Sequence, residues 1–253
     1  MTRSVNREWV GGPAVVTGAS GPIGAEITRA LATAGVDVVL SGRDTDTLHK
    51  VAATVPTGGG RTLIRRCDAT DSARSRGAAH GVEEDVGPVG TLVIAAGGGG
   101  RPVPLTDLSP DAWRATVETN LTSVFLTLRE FVPGMIERRN GSVVTISSDA
   151  AVTISAASPA YAAAKSAVLT LTRYVAAEAA PYGVRVNAVA PGSIRTPKIE
   201  ALPPEVQAQL AATHPSGRLG TPVDIAQTTL FLLSNRADWI TGEVLTPGAR
   251  TLH

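Results

Sequence analysis

The sequence predicts an α/β fold, a single doubly wound domain whose parallel seven-stranded sheet is flanked by helices. Three observations predict it. Short Val- and Ile-rich runs alternate with helical stretches from one end of the 253 residues to the other. No linker, internal repeat or shift of composition interrupts that alternation, so residues 1–253 read as one domain. The first strand-to-helix turn is glycine-rich, as ligand-binding turns of such sheets are.

Strands are expected near 13–17, 36–41, 61–67, 90–96, 141–147, 184–190 and 243–246. Helices are expected near 22–34, 44–54, 71–84, 111–131, 158–180 and 222–234. In the first turn Thr17-Gly18 leaves the strand, and Gly21 and Gly24 bracket Pro22-Ile23. Glycines admit a ligand close to the backbone, and a helix N-terminus offers free N–H groups to a pyrophosphate. Pro22 suits a first helical turn, so the helix should begin at or next to it. The second strand ends at Ser41-Gly42-Arg43 with no carboxylate to receive a ribose hydroxyl. Arg43 instead suits a 2′-phosphate, which predicts NADP(H) in preference to NAD(H); the plainer alternative is a solvated turn arginine. Asp68, at the end of the third strand, either meets an adenine edge or caps the following helix. The fourth strand runs into four glycines, Gly97 to Gly100, at the sheet edge where such folds bind ligands.

Ser109 and Pro110 open the next helix, on which Leu121, Val124, Phe125 and Leu128 make an apolar face. Asn120 lies within it. The run "GSVVTISS" is a buried strand that delivers Ser148 at or just past its end. Thirteen residues later comes Tyr161-Ala-Ala-Ala-Lys165, in a helix capped by Ser158 and started by Pro159. Four residues of helix advance about 400°, so the phenol and the ammonium share a face. A phenol titrates near pH 10, and an adjacent cation lowers that value toward a useful range for proton transfer. The chain has three lysines against twenty arginines, which marks Lys165 as chosen for its compact ammonium. After the strand "YGVRVNAVAPG", residues 196–218 carry several prolines and little periodicity, which predicts a substrate lid loop. Its Ile199, Leu202, Pro203, Pro204 and Leu210 favour a partly apolar substrate. Thr221-Pro222-Val223-Asp224 then starts the last long helix.

Composition narrows the functional classes. Net charge is +1 and hydrophobic content 43%, which supports a sizeable core and gives no electrostatic case for nucleic acid or a membrane surface. Cys67 is the one cysteine, so neither an internal disulfide nor a multi-cysteine metal site is expected, and no metal is called for. No apolar run reaches spanning length and the N-terminus lacks a signal-peptide core, which predicts a cytoplasmic protein.

Taken together, Thr17-Gly18-Ala19-Ser20 through Gly24, Asn120, Ser148, Tyr161-x-x-x-Lys165, "NAVAPGSIRT", "GRLGTPVDIA" and "WITGE" carry a resemblance over the whole chain. The chain resembles the short-chain dehydrogenases/reductases with a single Rossmann domain, nearest to 3-oxoacyl-(acyl carrier protein) reductases. It departs from their pattern in three places. Pro22 replaces the central glycine of the first turn, Ile94-Ala95-Ala96-Gly97 replaces Asn-Asn-Ala-Gly, and Pro247-Gly248-Ala249 replaces Asp-Gly-Gly. The resemblance implies an NADPH-dependent carbonyl reductase in which Tyr161 donates the proton as hydride arrives. It implies that Lys165 binds the nicotinamide ribose and lowers the Tyr161 pKa, that Ser148 holds the substrate oxygen, and that Asn120 holds a proton-relaying water. It places the cofactor on Gly18, Ser20, Gly21, Ile23, Gly24, Arg43, Asp68, Ala69, Ala96, Gly97, Tyr161, Lys165, Pro191, Gly192, Ile194 and Thr196. It also implies a small carbonyl substrate of 3-oxoacyl or secondary-metabolite type and a homotetramer (or dimer), with helices 111–131 and 158–180 at one interface. An imine or C=C reductase and a non-catalytic nucleotide-binding sensor are the alternatives, and the intact Ser148-Tyr161-Lys165 set argues against the sensor.

Overall fold

The computed structural model describes Trp9 and residues 11–71, 77–99, 102–155 and 157–248. Ala249 and positions 72–76 of the expected 71–84 helix lie outside them. The strands β1 (Ala14–Thr17), β2 (Val38–Gly42), β3 (Thr62–Arg66), β4 (Thr91–Ile94), β5 (Gly141–Ile146), β6 (Val184–Val189) and β7 (Val244–Leu245) form one parallel sheet. Their order is β3-β2-β1-β4-β5-β6-β7, which puts the crossover reversal between β1 and β4. In register, Val15 faces Val39 on one side and Leu92 on the other.

Strand pleating sends successive side chains to opposite faces. Val16, Leu40, Val93 and Val144 enter one apolar core, while Val15, Val39, Leu92, Ile94 and Val143 enter the other. Both faces are covered, which is why these strands read as continuous apolar runs. Helices α1 (Pro22–Thr33) and α9 (Pro222–Leu233) cover the first face through Ile27, Leu31, Ile225 and Leu232. Helices α5 (Ser123–Glu137) and α6 (Pro159–Ala179) cover the second through Leu128, Phe131, Val168 and Ala176. The shorter α2 (Thr45–Ala52), α3 (Ala78–Val86) and α4 (Pro110–Val117) complete the layers.

Several terminations have visible causes. α1 starts at Pro22, as expected, with Gly21 as an extended N-cap. It ends where Gly35 turns left-handed and Val36 and Gly35 donate to the Leu31 and Ala32 carbonyls, which satisfies its last turn. α9 opens with a reciprocal cap between Thr221 and Asp224, and Arg218 grips the same carboxylate with two bonds of 2.9 and 3.0 Å. Its C-terminal carbonyls receive the buried guanidinium of Arg185 from β6, which bonds Leu232 at 2.6 Å and Ser234 at 3.0 Å. Cation and helix C-terminus are complementary, so this side chain fastens α9 across the sheet.

Three expectations are corrected. The helix expected at 111–131 runs from Pro110 to Glu137 but widens into a π turn over Glu118–Thr122. Ser158 sits at the N-cap of α6 without accepting a bond through its side chain, which is buried instead. The stretch expected as a lid loop holds two helices, α7 (Pro197–Glu200) and α8 (Pro204–Ala212), each started by a proline. At their base the chain is clasped. Arg195 N–H donates to the Gly220 carbonyl at 2.8 Å, Gly220 N–H to Ser193 at 3.0 Å, and Ser193 N–H to His214 Nε2 at 3.0 Å.

Candidate active site

Two adjoining cavities open at the carboxyl edge of the sheet, sharing Gly18, Gly21, Ala95 and Gly97. Their place follows from topology, since ligands of open α/β sheets bind where strand order reverses. Gly18, Ser20, Gly21, Arg43, Asp68, Ala69, Ala96 and Gly97 line the first. The second, of about 640 Å³, is lined by Ile23, Gly24, Ser148, Tyr161, Lys165, Pro191, Gly192, Ile194 and Thr196 among others. Every residue expected to bind the cofactor or carry the chemistry is in these walls except Asn120, whereas of the lid residues expected to meet the substrate only Ile199 is, and Leu202, Pro203, Pro204 and Leu210 are not.

The first cavity is a cradle of backbone. Gly18 has φ +68°, and a Cβ there would come within 2.6 Å of the Ala96 nitrogen. The chain can therefore pass under β4 only as glycine. The first turn of α1 leaves N–H groups without intrahelical acceptors, beside Gly21 and Gly24, which carry no Cβ to crowd a ligand. Asp68 accepts from the Thr70 N–H and hydroxyl at 3.1 and 2.7 Å, which fixes the turn that follows β3. Arg43 borders the far end. Sequence reasoning missed its companion Arg66, which β3 pairing sets beside Gly42 and which lines the same edge as Arg43 and Asp68. Among the described residues neither guanidinium is paired with a carboxylate. The Ser20 hydroxyl lies against Gly42. Paired donors around a small basin are what a terminal phosphate requires.

The second cavity carries the chemistry. β5 ends at Ile146, so Ser147 and Ser148 emerge at the sheet edge. Ser147 faces inward and donates to the Lys165 carbonyl at 2.9 Å, docking α6 against the strand end. Ser148 lines the cavity with Tyr161, and its hydroxyl donates to Asp149 Oδ1 at 3.3 Å and accepts from the Ala150 N–H at 3.2 Å. Lys165, 3% exposed, donates to the Ile146 carbonyl at 2.9 Å and lies over the Tyr161 ring, 5.8 Å from its centroid. Burial pushes the Lys165 pKa down to about 8.

The phenol corrects the sequence expectation. Its pKa is raised, first by burial, with the Asp149 charge adding to the rise and the neighbouring Ser148 hydroxyl opposing it. Removal from water disfavours the phenolate, and the lysine is engaged by a carbonyl and stacked on the ring. Tyr161 therefore remains a phenol at neutral pH, the form that can give a proton away.

Asn120 stands behind the wall. It is 1% exposed and its amide grips Gly98 from both sides, accepting from the N–H at 3.0 Å and donating to the carbonyl at 3.2 Å, with a further bond to Thr116 at 3.0 Å. The π turn is what aims it there. This grip supplies the polar anchorage that Ile94-Ala95-Ala96-Gly97 lacks. A Cβ on Gly97, whose φ is +141°, would sit 2.8 Å from Asn120 Oδ1 and 3.1 Å from Lys165 Nζ. Gly97 thus lets the glycine loop, Asn120 and Lys165 meet at one point. Sequence reasoning also missed Lys198, on α7, which lines the cavity mouth.

A glycine cradle at the strand-order reversal, joined to a serine-phenol-lysine set, defines an oxidoreductase site of dinucleotide type. Residues 18–247 match the family model described as enoyl-(acyl carrier protein) reductase. The chain belongs to the short-chain dehydrogenase/reductase family. It is 38% identical to the cis-4-hydroxycyclohexanecarboxylate dehydrogenase of Sinomonas cyclohexanicum, over 92% of this chain and 93% of that protein. It is 34% identical to the 3-oxoacyl-[acyl-carrier-protein] reductase of Thermotoga maritima, over 91% and 94%. A 3-oxoacyl-[acyl-carrier protein] reductase from Brucella melitensis, solved with bound NAD, superposes with a TM-score of 0.87 at 31% identity, covering all of this chain and 97% of the other. The family works with a nicotinamide cofactor, and the cradle fits one. No helix among the described residues is long and apolar enough to cross a membrane.

Proposed function

We propose that this protein interconverts a ketone and a secondary alcohol with NADP(H), in preference to NAD(H). The observation that carries the reading is the placement of Ser148 and Tyr161 in the wall of one cavity, with the Lys165 ammonium 5.8 Å from the Tyr161 ring centroid. Two hydroxyls on the lining of one cavity can receive one substrate oxygen. When bound, the nicotinamide supplies or accepts the hydride. Ser148 would hold the carbonyl oxygen, and Tyr161 would hand its proton to that oxygen as negative charge grows there. Lys165, cationic below about pH 8, would stabilise the phenolate left behind. Gly18, Gly21, Ile23 and Gly24 would hold the pyrophosphate, and Asp68, Ala69 and Ala96 the adenosine. Pro191, Gly192, Ile194 and Thr196 would frame the nicotinamide end. The Thr196 side chain makes no capping bond to α7, which leaves its hydroxyl for that purpose. Asn120 would act by positioning the glycine loop, and α7 and α8 by covering the substrate.

Arg43, Arg66 and the Ser20 hydroxyl support the NADP(H) preference, because an adenosine 2′-phosphate would give two unpaired guanidinium groups an anion to grip. The family description names an enoyl reduction, whereas the hydroxyl pair favours C=O over C=C chemistry. A relative that acts on a hydroxycyclohexane carboxylate supports a compact alicyclic or short aliphatic substrate. The homotetramer expected from the resemblance would join the exposed faces carrying Trp113, Phe125 and Tyr174. The test is NADPH oxidation against panels of ketones, enones and imines. Turnover of ketones alone is expected, and turnover of enones or imines without ketones would overturn the reading.

A further inference from the structure

The substrate cavity has an uneven charge. Its described lining holds two ammonium groups, Lys165 and Lys198, and no carboxylate. Lys165 is buried and engaged with the Ile146 carbonyl. Lys198 is exposed at the mouth, and its ammonium reaches across to the Gly99 carbonyl at 3.5 Å, the outer edge of a hydrogen bond. It makes no ion pair among the described residues. Outside the residues assigned to the cofactor, the wall near Lys198 is apolar: Pro22, Pro197 and Ile199. The chain otherwise uses arginine almost throughout, with three lysines against twenty arginines. A compact ammonium at the rim of an apolar chamber suits a single anionic group on an otherwise apolar ligand.

We propose that Lys198 recognises a carboxylate on the substrate, so that the physiological substrate is a keto acid or hydroxy acid with its carboxylate remote from the reacting carbon. The inference rests on the ketone–alcohol reading and deepens it. The cofactor pyrophosphate is the competing anion, but the free N–H groups at the start of α1 already provide for it. The weak contact with Gly99 makes Lys198 a cation held at the mouth and readily released to an incoming anion. One charge-assisted hydrogen bond in such a place corresponds to about ten- to a hundredfold in affinity.

The test uses cyclohexanecarboxylate and cyclohexanecarboxamide, titrated calorimetrically into the full-length enzyme saturated with NADPH and, separately, NADH. Reduction of 4-oxocyclohexanecarboxylate and of its methyl ester is measured alongside. The wild type should bind the acid at least tenfold more tightly than the amide. Lys198→Gln should bring the two to parity, Lys198→Arg should retain most of the difference, and the ester should be reduced equally well by wild type and Lys198→Gln. Acid and amide binding alike to the wild type, or both going undetected, would overturn the proposal. So would Lys198→Gln raising the cofactor Michaelis constant while the acid keeps its advantage, which would assign the cation to the pyrophosphate. An enzyme that selects the acid through Lys198 but reduces no ketone would leave this inference standing and remove the reductase reading instead.

Discussion

Tyr161→Phe removes the phenol hydroxyl from the cavity wall and leaves the ring under Lys165, so packing and cofactor affinity should survive. Turnover should fall by about 10²–10⁴-fold, the usual contribution of a positioned acid-base group, in a steady-state assay with cofactor binding followed by fluorescence. Arg43→Ala and Arg66→Ala should each raise the NADPH Michaelis constant by roughly tenfold and leave that for NADH unchanged. Equal use of both cofactors by the wild type would make the two arginines ordinary surface residues. Lys165 gives a prediction with a definite sign. Its folded pKa, about 8, lies below the ordinary lysine value of 10.5, so the unfolded chain holds more protons between those values. The buried ammonium therefore destabilises the fold below pH 8, and that cost fades as pH rises toward 10.5. Lys165→Met should be inactive yet more stable at pH 7 by roughly 2 kcal/mol, after loss of the bond to Ile146. The gain should vanish near pH 10.5, as melting curves across pH would show. The shared face of Tyr161 and Lys165 is legible in their spacing alone. The rise in the phenol pKa is not, because burial depends on what the rest of the chain folds over the site.

At the scale of elements, the strands and long helices are legible because a doubly covered sheet leaves apolar runs that no other arrangement would bury. The π turn and the short helices α7 and α8 are not. A π turn depends on where Asn120 must reach rather than on local propensity, and α7 and α8 are too short and proline-rich for an apolar period to emerge. Asp224 tests how much one cap contributes. Asp224→Ala removes the carboxylate that accepts from the Thr221 N–H and hydroxyl and the two hydrogen bonds from Arg218. Loss of such a cap costs about 1–2 kcal/mol, or a few degrees of melting temperature in a chain of this size. The Arg218 guanidinium holds the Asp224 carboxyl well below the usual carboxylate range. The stabilisation is thus complete above that range and is lost only as pH falls beneath it. An unchanged melting temperature at pH 7 would show that the cap is dispensable.

At the scale of the whole molecule, Trp113, Phe125 and Tyr174 are 41%, 44% and 68% exposed on α4, α5 and α6, and a second copy of the chain is the occupant that the proposed tetramer assigns to them. Sedimentation at micromolar concentration should show a tetramer that Phe125→Glu splits into smaller species, and a monomeric wild type would end that proposal. The fold confines change as well as motion. Because Ser193, Ile194 and Arg195 are fastened to Gly220 and His214, the segment between them is closed at its neck whatever its length. Lengthening such a closed segment costs little, about 0.6 kcal/mol for each doubling. A lineage can therefore rewrite its substrate chamber by insertion or deletion at residues 197–212 while the sheet, the cradle and the proton donor stay untouched. The clasp separates the part of the gene that is free to drift from the part that is not.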